Sequence, residues 1–364
     1  MRRIPVFLPL FLLLSLLCWS ARHHPFFWDT ISQASRRAHF YFSTNFSHLI
    51  LAPDLDSGHP PLFNIYIAAI WKVFGKTLMA SHLAMLPFSW GICWQLFRFA
   101  RHFLEDRSAQ WWVFGFLLVD PVLLGQSVLV SPDLVLTFAF LLATNSIILD
   151  RRKWLPLALI LLLMISLRGI LAFGSLLLID VWNTYLKEEK SANKWWSGLW
   201  KKTPAYIVAG ILFFGYLYLH YRQSGWWLST PNPAWAHHRE PASLGTIAWN
   251  CGIFTWRLLD YGRVALWLAL IWALWKRPFL KDRSALLLLG ILALPLLAYA
   301  PGLILFQGAI GHRYFLPSFL VLPVLLVYLW KKPPNWPSWF LVLLLVFLLL
   351  GNRWIYPRQI AQGW

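Results

Sequence analysis

The residues that could do chemistry are the ionisable ones that interrupt a largely apolar sequence. Seven of the 14 acidic residues, Asp29, Asp54, Asp56, Asp120, Asp133, Glu240 and Asp260, fall on one side of the apolar runs. His59, Arg168, Arg257, Arg263, His312 and Arg313 fall on the same side. A carboxylate can take a proton from a nucleophile, and guanidinium or imidazole groups can receive a departing phosphate; together these types suit transfer from a phosphorylated donor. Ionisable side chains near membrane depth are costly to hold there, so they mark a substrate path.

Such residues need elements to position them, and the composition says which kind. With 59% hydrophobic and 13% charged residues among 364, the chain cannot present a polar surface all round, so it reads as a polytopic membrane protein. The 25 Trp and 27 Phe residues suit two long membrane interfaces. The net charge of +18 comes from short Lys and Arg clusters between apolar runs. These are topology signals and contacts for anionic membrane lipids, and no nucleic-acid partner is implied. Cys18, Cys93 and Cys251 show no CxxC spacing and are read as packing residues, with no metal site among the assignments.

The first run, IPVFLPLFLLLSLLCWS, follows Arg2 and Arg3 without an A-x-A-like cleavage site, which predicts an uncleaved first span. Ten further runs are expected near 80–97, 109–127, 133–149, 154–167, 169–184, 204–221, 254–275, 284–306, 315–330 and 337–351. The stretch after GHPP, residues 62–76, is too short to cross and is read as an outer juxtamembrane helix whose Lys72 and Lys76 reach headgroups. Leaving it outside gives about 11 spans and places the basic clusters in the inner loops. The expected fold is therefore all-α, one membrane domain over residues 1–364. Its outer pieces are residues 21–79, residues 222–253 and the tail from 352. The stretch 187–202 reads as an interfacial helix with Trp195, Trp196 and Trp200 at the surface.

Local roles compete with chemical ones at several positions. Asp29 can cap the helix begun by TISQASRRAHFYF, and Asp133 in SPDLVL stands where a cap or first-turn acid is expected. His59 can simply end a loop, and Arg313 can snorkel to headgroups. A transporter or flippase of lipid-linked sugars would also show many spans and buried charges. No inverted repeat or pair of interrupted helices is visible to favour it.

The order FFWDTISQA, GHPPLFNIYIAAIWKVFG, DPVLLGQSVLVSPDLVLTFAFLLA, SLRGIL and GHRYFLPSFLVLPVLL resembles the GT-C superfamily of membrane glycosyltransferases over roughly residues 1–330. It is most like the protein O-mannosyltransferases and the aminoarabinose lipid A transferases. The resemblance implies inverting transfer of a sugar from a polyprenyl-phosphate carrier to a lipid, glycan or protein acceptor. The reaction would face outward from a bacterial inner membrane. It places the catalytic carboxylate at Asp29, with Asp54 or Asp56 as the second acid, because the acidic pair usual in the family reads Asp29-Thr30 here. His59, Arg168 and Arg313, with His312, are the implied carrier-phosphate contacts. No cofactor is assigned, and a divalent cation is left open.

Overall fold

The computed structural model describes residues 4–27, 30–188, 192–228, 230–330 and 336–351. Asp29 and the tail from 352 lie outside them. Among the described residues the fold is all-α, as expected, and a single isolated bridge, Pro241 to Phe306, is its only β-type pairing.

Helix α1 (Leu8–Ser20) is followed by a loop that carries a π-helical turn (Ile31–Arg36), α2 (Arg37–Ser43), α3 (Leu62–Phe74) and α4 (Leu78–Leu83). Next come α5 (Leu86–Phe103), α6 (Arg107–Leu118), α7 (Pro121–Ser127), α8 (Pro132–Ile148), α9 (Leu155–Ile165) and α10 (Arg168–Glu188). The second half holds α11 (Ala192–Trp200), α12 (Thr203–Ser224), α13 (Pro233–Ala236), α14 (Leu244–Leu259) and α15 (Arg263–Lys276). It closes with α16 (Arg283–Ile304), α17 (Leu316–Trp330) and α18 (Trp336–Leu349).

Helix α3 buries Phe63, Asn64, Ile67, Ala68 and Trp71, one face at helical spacing, and exposes Lys72, Val73 and Phe74. It stops at Gly75, whose φ of +84° suits glycine. Thirteen residues rise about 20 Å, short of a bilayer core. Lys72 near its end and Lys76 just beyond it are both exposed. Lys72 Nζ lies 4.4 Å from the Phe42 ring centre, and Lys76 Nζ lies 3.0 Å from His39 Nδ1.

By length and composition four helices can cross a membrane, or six if each of two bent pairs forms one span; shorter apolar helices include α1, α3 and α8. The bent pairs correct two expectations. The run at 254–275 is not continuous: α14 and α15 meet at 84°, and α14 already starts at Leu244, inside the stretch read as the outer piece 222–253. The cause is local. Ser243 caps α14 by accepting from Thr246 N (3.2 Å), and Tyr261 and Gly262 both take positive φ, +55° and +75°. A Cβ on Gly262 would come within 3.0 Å of Phe347 O and Gly351 N, so glycine also permits the close approach of α18. The second break, 64° between α6 and α7, is fixed by Asp120, which accepts from Val122 N and Leu123 N at 3.0 and 2.9 Å. A pair of interrupted helices is therefore present, and the two breaks meet through Arg263 and Asp120 at 2.6 Å.

Helix α10 packs along α16, α8 between α5 and α9, and α17 against α15 and α16. Almost every residue of α8 and α17 is buried. These two interior helices begin at the same end of the bundle, where Asp133 of α8 meets Arg313 of the 3-10 turn before α17. Cys18 and Cys93 are buried as packing residues, whereas Cys251 is exposed. Trp196 and Trp200 of α11 are exposed, in keeping with a surface helix.

Candidate active site

The site grows from the start of α8. Ser131 takes the capping role by accepting from Asp133 N at 3.2 Å, with Pro132 in the first turn, which leaves the Asp133 carboxylate to face inward. Its Oδ1 receives Arg168 Nη2 at 2.6 Å and its Oδ2 receives Arg313 Nε at 3.2 Å. Arg168 opens α10, and Arg313 lies in the 3-10 turn that leads into α17. The Tyr314 ring lies against both guanidinium groups, with centroid distances of 4.0 and 5.4 Å.

Half-buried His59 faces this clamp. Its Nδ1 accepts from Leu167 N–H at 3.3 Å, so its proton sits on Nε2. Burial, then the charges of Arg37, Arg168, Arg239 and Arg313, hold the imidazole pKa well below its ordinary value of 6.5. At neutral pH His59 is an uncharged N–H donor among four guanidinium groups.

Arg37 and Arg239 are brought in by the backbone of residues 55–58. Arg37, 1% exposed, donates Nε to Leu55 O at 3.0 Å and lies over Trp235, and Arg239 Nη2 donates to Ser57 O. Gly58, at φ +77°, leaves no room for a side chain, since a Cβ would come within 2.9 Å of Arg239 Nη1 and Leu228 O. Asp56 locks the crossing. Its Oδ1 accepts from Gly58 N and its Oδ2 from His220 Nε2, both at 2.7 Å, while Thr230 Oγ1 donates to its carbonyl. Four arginines thus converge on His59 against two buried carboxylates, Asp133 and Asp56. Arg168 Nε and Arg239 Nη1 are buried with no partner among the described residues. That arrangement has donors and positive charge in hand for an anion of about two charges.

The sequence candidates separate accordingly. His59, Arg168 and Arg313 come together. His312, next in sequence to Arg313, turns the other way: Nε2 meets Asp260 Oδ2 at 2.8 Å, the ring packs on Tyr261, and Arg257 Nη1 lies 3.8 Å from the same carboxylate. Asp56 is 2% exposed with both oxygens engaged, which makes it an anchor for the loop. Asp54 is exposed on that loop. Asp29 lies outside the described residues. Arg313 pairs with Asp133 instead of snorkelling, and Asp133 is a clamp instead of a cap. Sequence reasoning missed Arg37 and Arg239, whose polar neighbours in SRRAH and HHRE give no local sign of burial.

No protein-family model matches the chain, and no curated protein matches it by sequence. The fold does have counterparts. Two crystal structures of ArnT from Cupriavidus metallidurans, one in the apo state and one bound to undecaprenyl phosphate, match with TM-scores of 0.64 and 0.61. The identities are 16% and 15%. The chain shares the ArnT fold. Each match covers 92% of this chain, so nearly all the helices take part, and 62% of the ArnT chain, so this protein spans less than two thirds of ArnT's length. The GT-C resemblance read from the motifs is thus borne out as a multi-pass helical membrane fold of the ArnT kind.

Proposed function

We propose that this protein is an inverting glycosyltransferase that takes a sugar from a polyprenyl-phosphate carrier. The observation that carries the reading is the convergence of Arg37, Arg168, Arg239 and Arg313 on neutral His59, with buried N–H groups still to be satisfied. A sugar linked to a polyprenyl phosphate supplies the anion these donors fit, and the ArnT fold, solved in one case with undecaprenyl phosphate bound, supports that choice of ligand.

In the proposed step an acceptor hydroxyl attacks the anomeric carbon. Its proton passes to a carboxylate of the first loop, Asp29 or Asp54, and the bond from the anomeric carbon to the phosphate oxygen breaks. Negative charge then grows on the departing phosphate. The preset guanidinium groups and the His59 Nε2–H are aimed where that charge develops. Asp133 holds Arg168 and Arg313 apart at a fixed spacing, and Asp56 holds the loop that brings Arg37, His59 and Arg239. The acceptor is a lipid, glycan or protein, and the site faces outward from a bacterial inner membrane. That sidedness follows from the basic loops at the opposite end.

The two interrupted helices favour a second reading, a transporter of lipid-linked sugars, because broken helices often build transport sites. Their junction is closed, however: Arg263 is 1% exposed and Asp120 3% exposed, each engaged by the other. Binding of polyprenyl phosphate to the purified chain, followed by native mass spectrometry, tests the proposed site. Retention by wild type and loss in Arg168→Ala and Arg313→Ala is expected, and equal retention in all three would overturn it.

A further inference from the structure

Between α16 and the 3-10 turn that carries Arg313, residues 305–311 form no helix, so their backbone groups need partners from outside the segment. Helix α14 ties this segment along one side. Buried Asn250 donates Nδ2 to the carbonyls of Ile304 and Phe306 at 3.1 Å each, whereas Trp249 and Trp256 of the same helix are exposed. Two turns on, Arg257 donates Nε to Ile310 O at 3.1 Å. Asp260, at the end of α14, accepts from His312 Nε2 at 2.8 Å. From Asn250 to Asp260 the helix rises about 15 Å, so the ties follow the segment and end on the residue before Arg313.

The last tie is built into the break between α14 and α15. The Asp260 side chain is fully buried, and its Oδ1 accepts from Tyr261 N–H at 2.7 Å. A carboxylate only accepts, so His312 carries its proton on Nε2. The Tyr261 ring stands edge-on to the imidazole at a centroid distance of 4.3 Å, just where positive φ at Tyr261 and Gly262 turns the chain into α15. Within the same short turn Arg313 Nε reaches Asp133 Oδ2 at 3.2 Å, and Tyr314 N–H donates to Gly311 O at 3.1 Å. Adjacent side chains therefore face opposite ways, His312 into the helix junction and Arg313 into the site.

We propose that Asp260, His312 and Arg257 are positioning residues for Arg313, fixing the turn from which its guanidinium meets the carrier phosphate; this role rests on the carrier-phosphate reading above. A guanidinium already held where the anion binds loses less freedom on binding than one that must be ordered at that moment. His312 thus serves the site through Arg313, from the far side of the turn.

The purified full chain is titrated with polyprenyl phosphate and the dissociation constant read by native mass spectrometry. His312→Ala should bind about 10-fold more weakly than wild type, and His312→Gln, which still offers an N–H to Asp260, should recover most of the loss. Because the effect passes through Arg313, adding His312→Ala to Arg313→Ala should weaken binding no further, whereas a general loosening of the fold would add its own cost. Arg257→Ala removes only the tie to Ile310 O, so it should weaken binding about 3-fold with the same dependence on Arg313, and it decides the matter if His312→Ala fails to fold. A full further loss on top of Arg313→Ala overturns the positioning role and leaves the phosphate site standing. So does wild-type affinity in His312→Ala and Arg257→Ala while Arg313→Ala binds weakly. Wild-type affinity in Arg313→Ala itself overturns the phosphate reading, and the positioning role with it.

Discussion

Arg168 and Arg313, 145 positions apart in sequence, share one carboxylate: Asp133 accepts the first at 2.6 Å and the second at 3.2 Å, at the mouth of a buried helix. Removing that carboxylate leaves two guanidinium groups facing each other over Tyr314. Breaking a buried pair by deleting one partner costs about 3–5 kcal/mol, so Asp133→Asn should unfold at a clearly lower temperature in detergent. A wild-type unfolding temperature would show that the clamp does not act as a buried pair.

Arg168→Ala and Arg313→Ala each delete a charged donor to the carrier phosphate. At about 1.5–3 kcal/mol per charged hydrogen bond, the donor KM should rise by about 10- to 150-fold. Arg→Lys should restore part of the loss, because the ammonium keeps the charge but not the fork. Unchanged donor KM in both Ala variants would remove the phosphate role.

His59 ties stability to pH. Its folded pKa lies below 6.5, so its neutral state is favoured by folding, and its contribution is fully present above about pH 6.5. Below that pH the unfolded chain binds a proton that the folded chain refuses, and stability falls as pH drops toward the folded pKa. His59→Gln keeps an acceptor for Leu167 N–H without titrating, so its unfolding temperature should fall less between pH 7 and pH 5. An identical acid sensitivity in wild type and variant would count against this assignment.

The Asp56–His220 contact joins the first loop to the end of α12, and through Gly58 it sets where Arg239 and His59 lie. Asp56→Asn, His220→Ala and the double variant should give non-additive losses of donor binding, with a coupling of about 1–3 kcal/mol. Strict additivity would mean that the two residues do not hold the loop together.

Much of this was legible in sequence, for identifiable reasons. Arg168 and Arg313 stand out because charge inside an apolar run is rare, and the amphipathic character of α3 follows from the spacing of Phe63, Ile67, Ala68 and Trp71. Arg37 and Arg239 were illegible, because each lies among polar neighbours and meets the backbone of residues 55–58 only in the folded chain. Asp133 followed a local rule on paper, but Ser131 took the cap, and tertiary partners at the starts of α10 and α17 took the carboxylate. The break at Gly262 was written in DYGR, yet apolar residues on both sides made 254–275 read as one run. Asp29 remains the acid assigned by resemblance. Because Asn caps a helix about as well as Asp, Asp29→Asn separates proton transfer from capping, and turnover should fall by about 100-fold or more with the protein still folded.

The most direct measurement of the central claim is sugar transfer in proteoliposomes from a labelled polyprenyl-phosphate-linked donor, read as labelled acceptor formed together with free polyprenyl phosphate. Wild type should form both in equal amounts, and Arg168→Ala and Arg313→Ala should form at least about 10-fold less at limiting donor. Movement of intact donor across the bilayer by folded wild-type protein, with no sugar transferred to a lipid, glycan or protein acceptor, would contradict it.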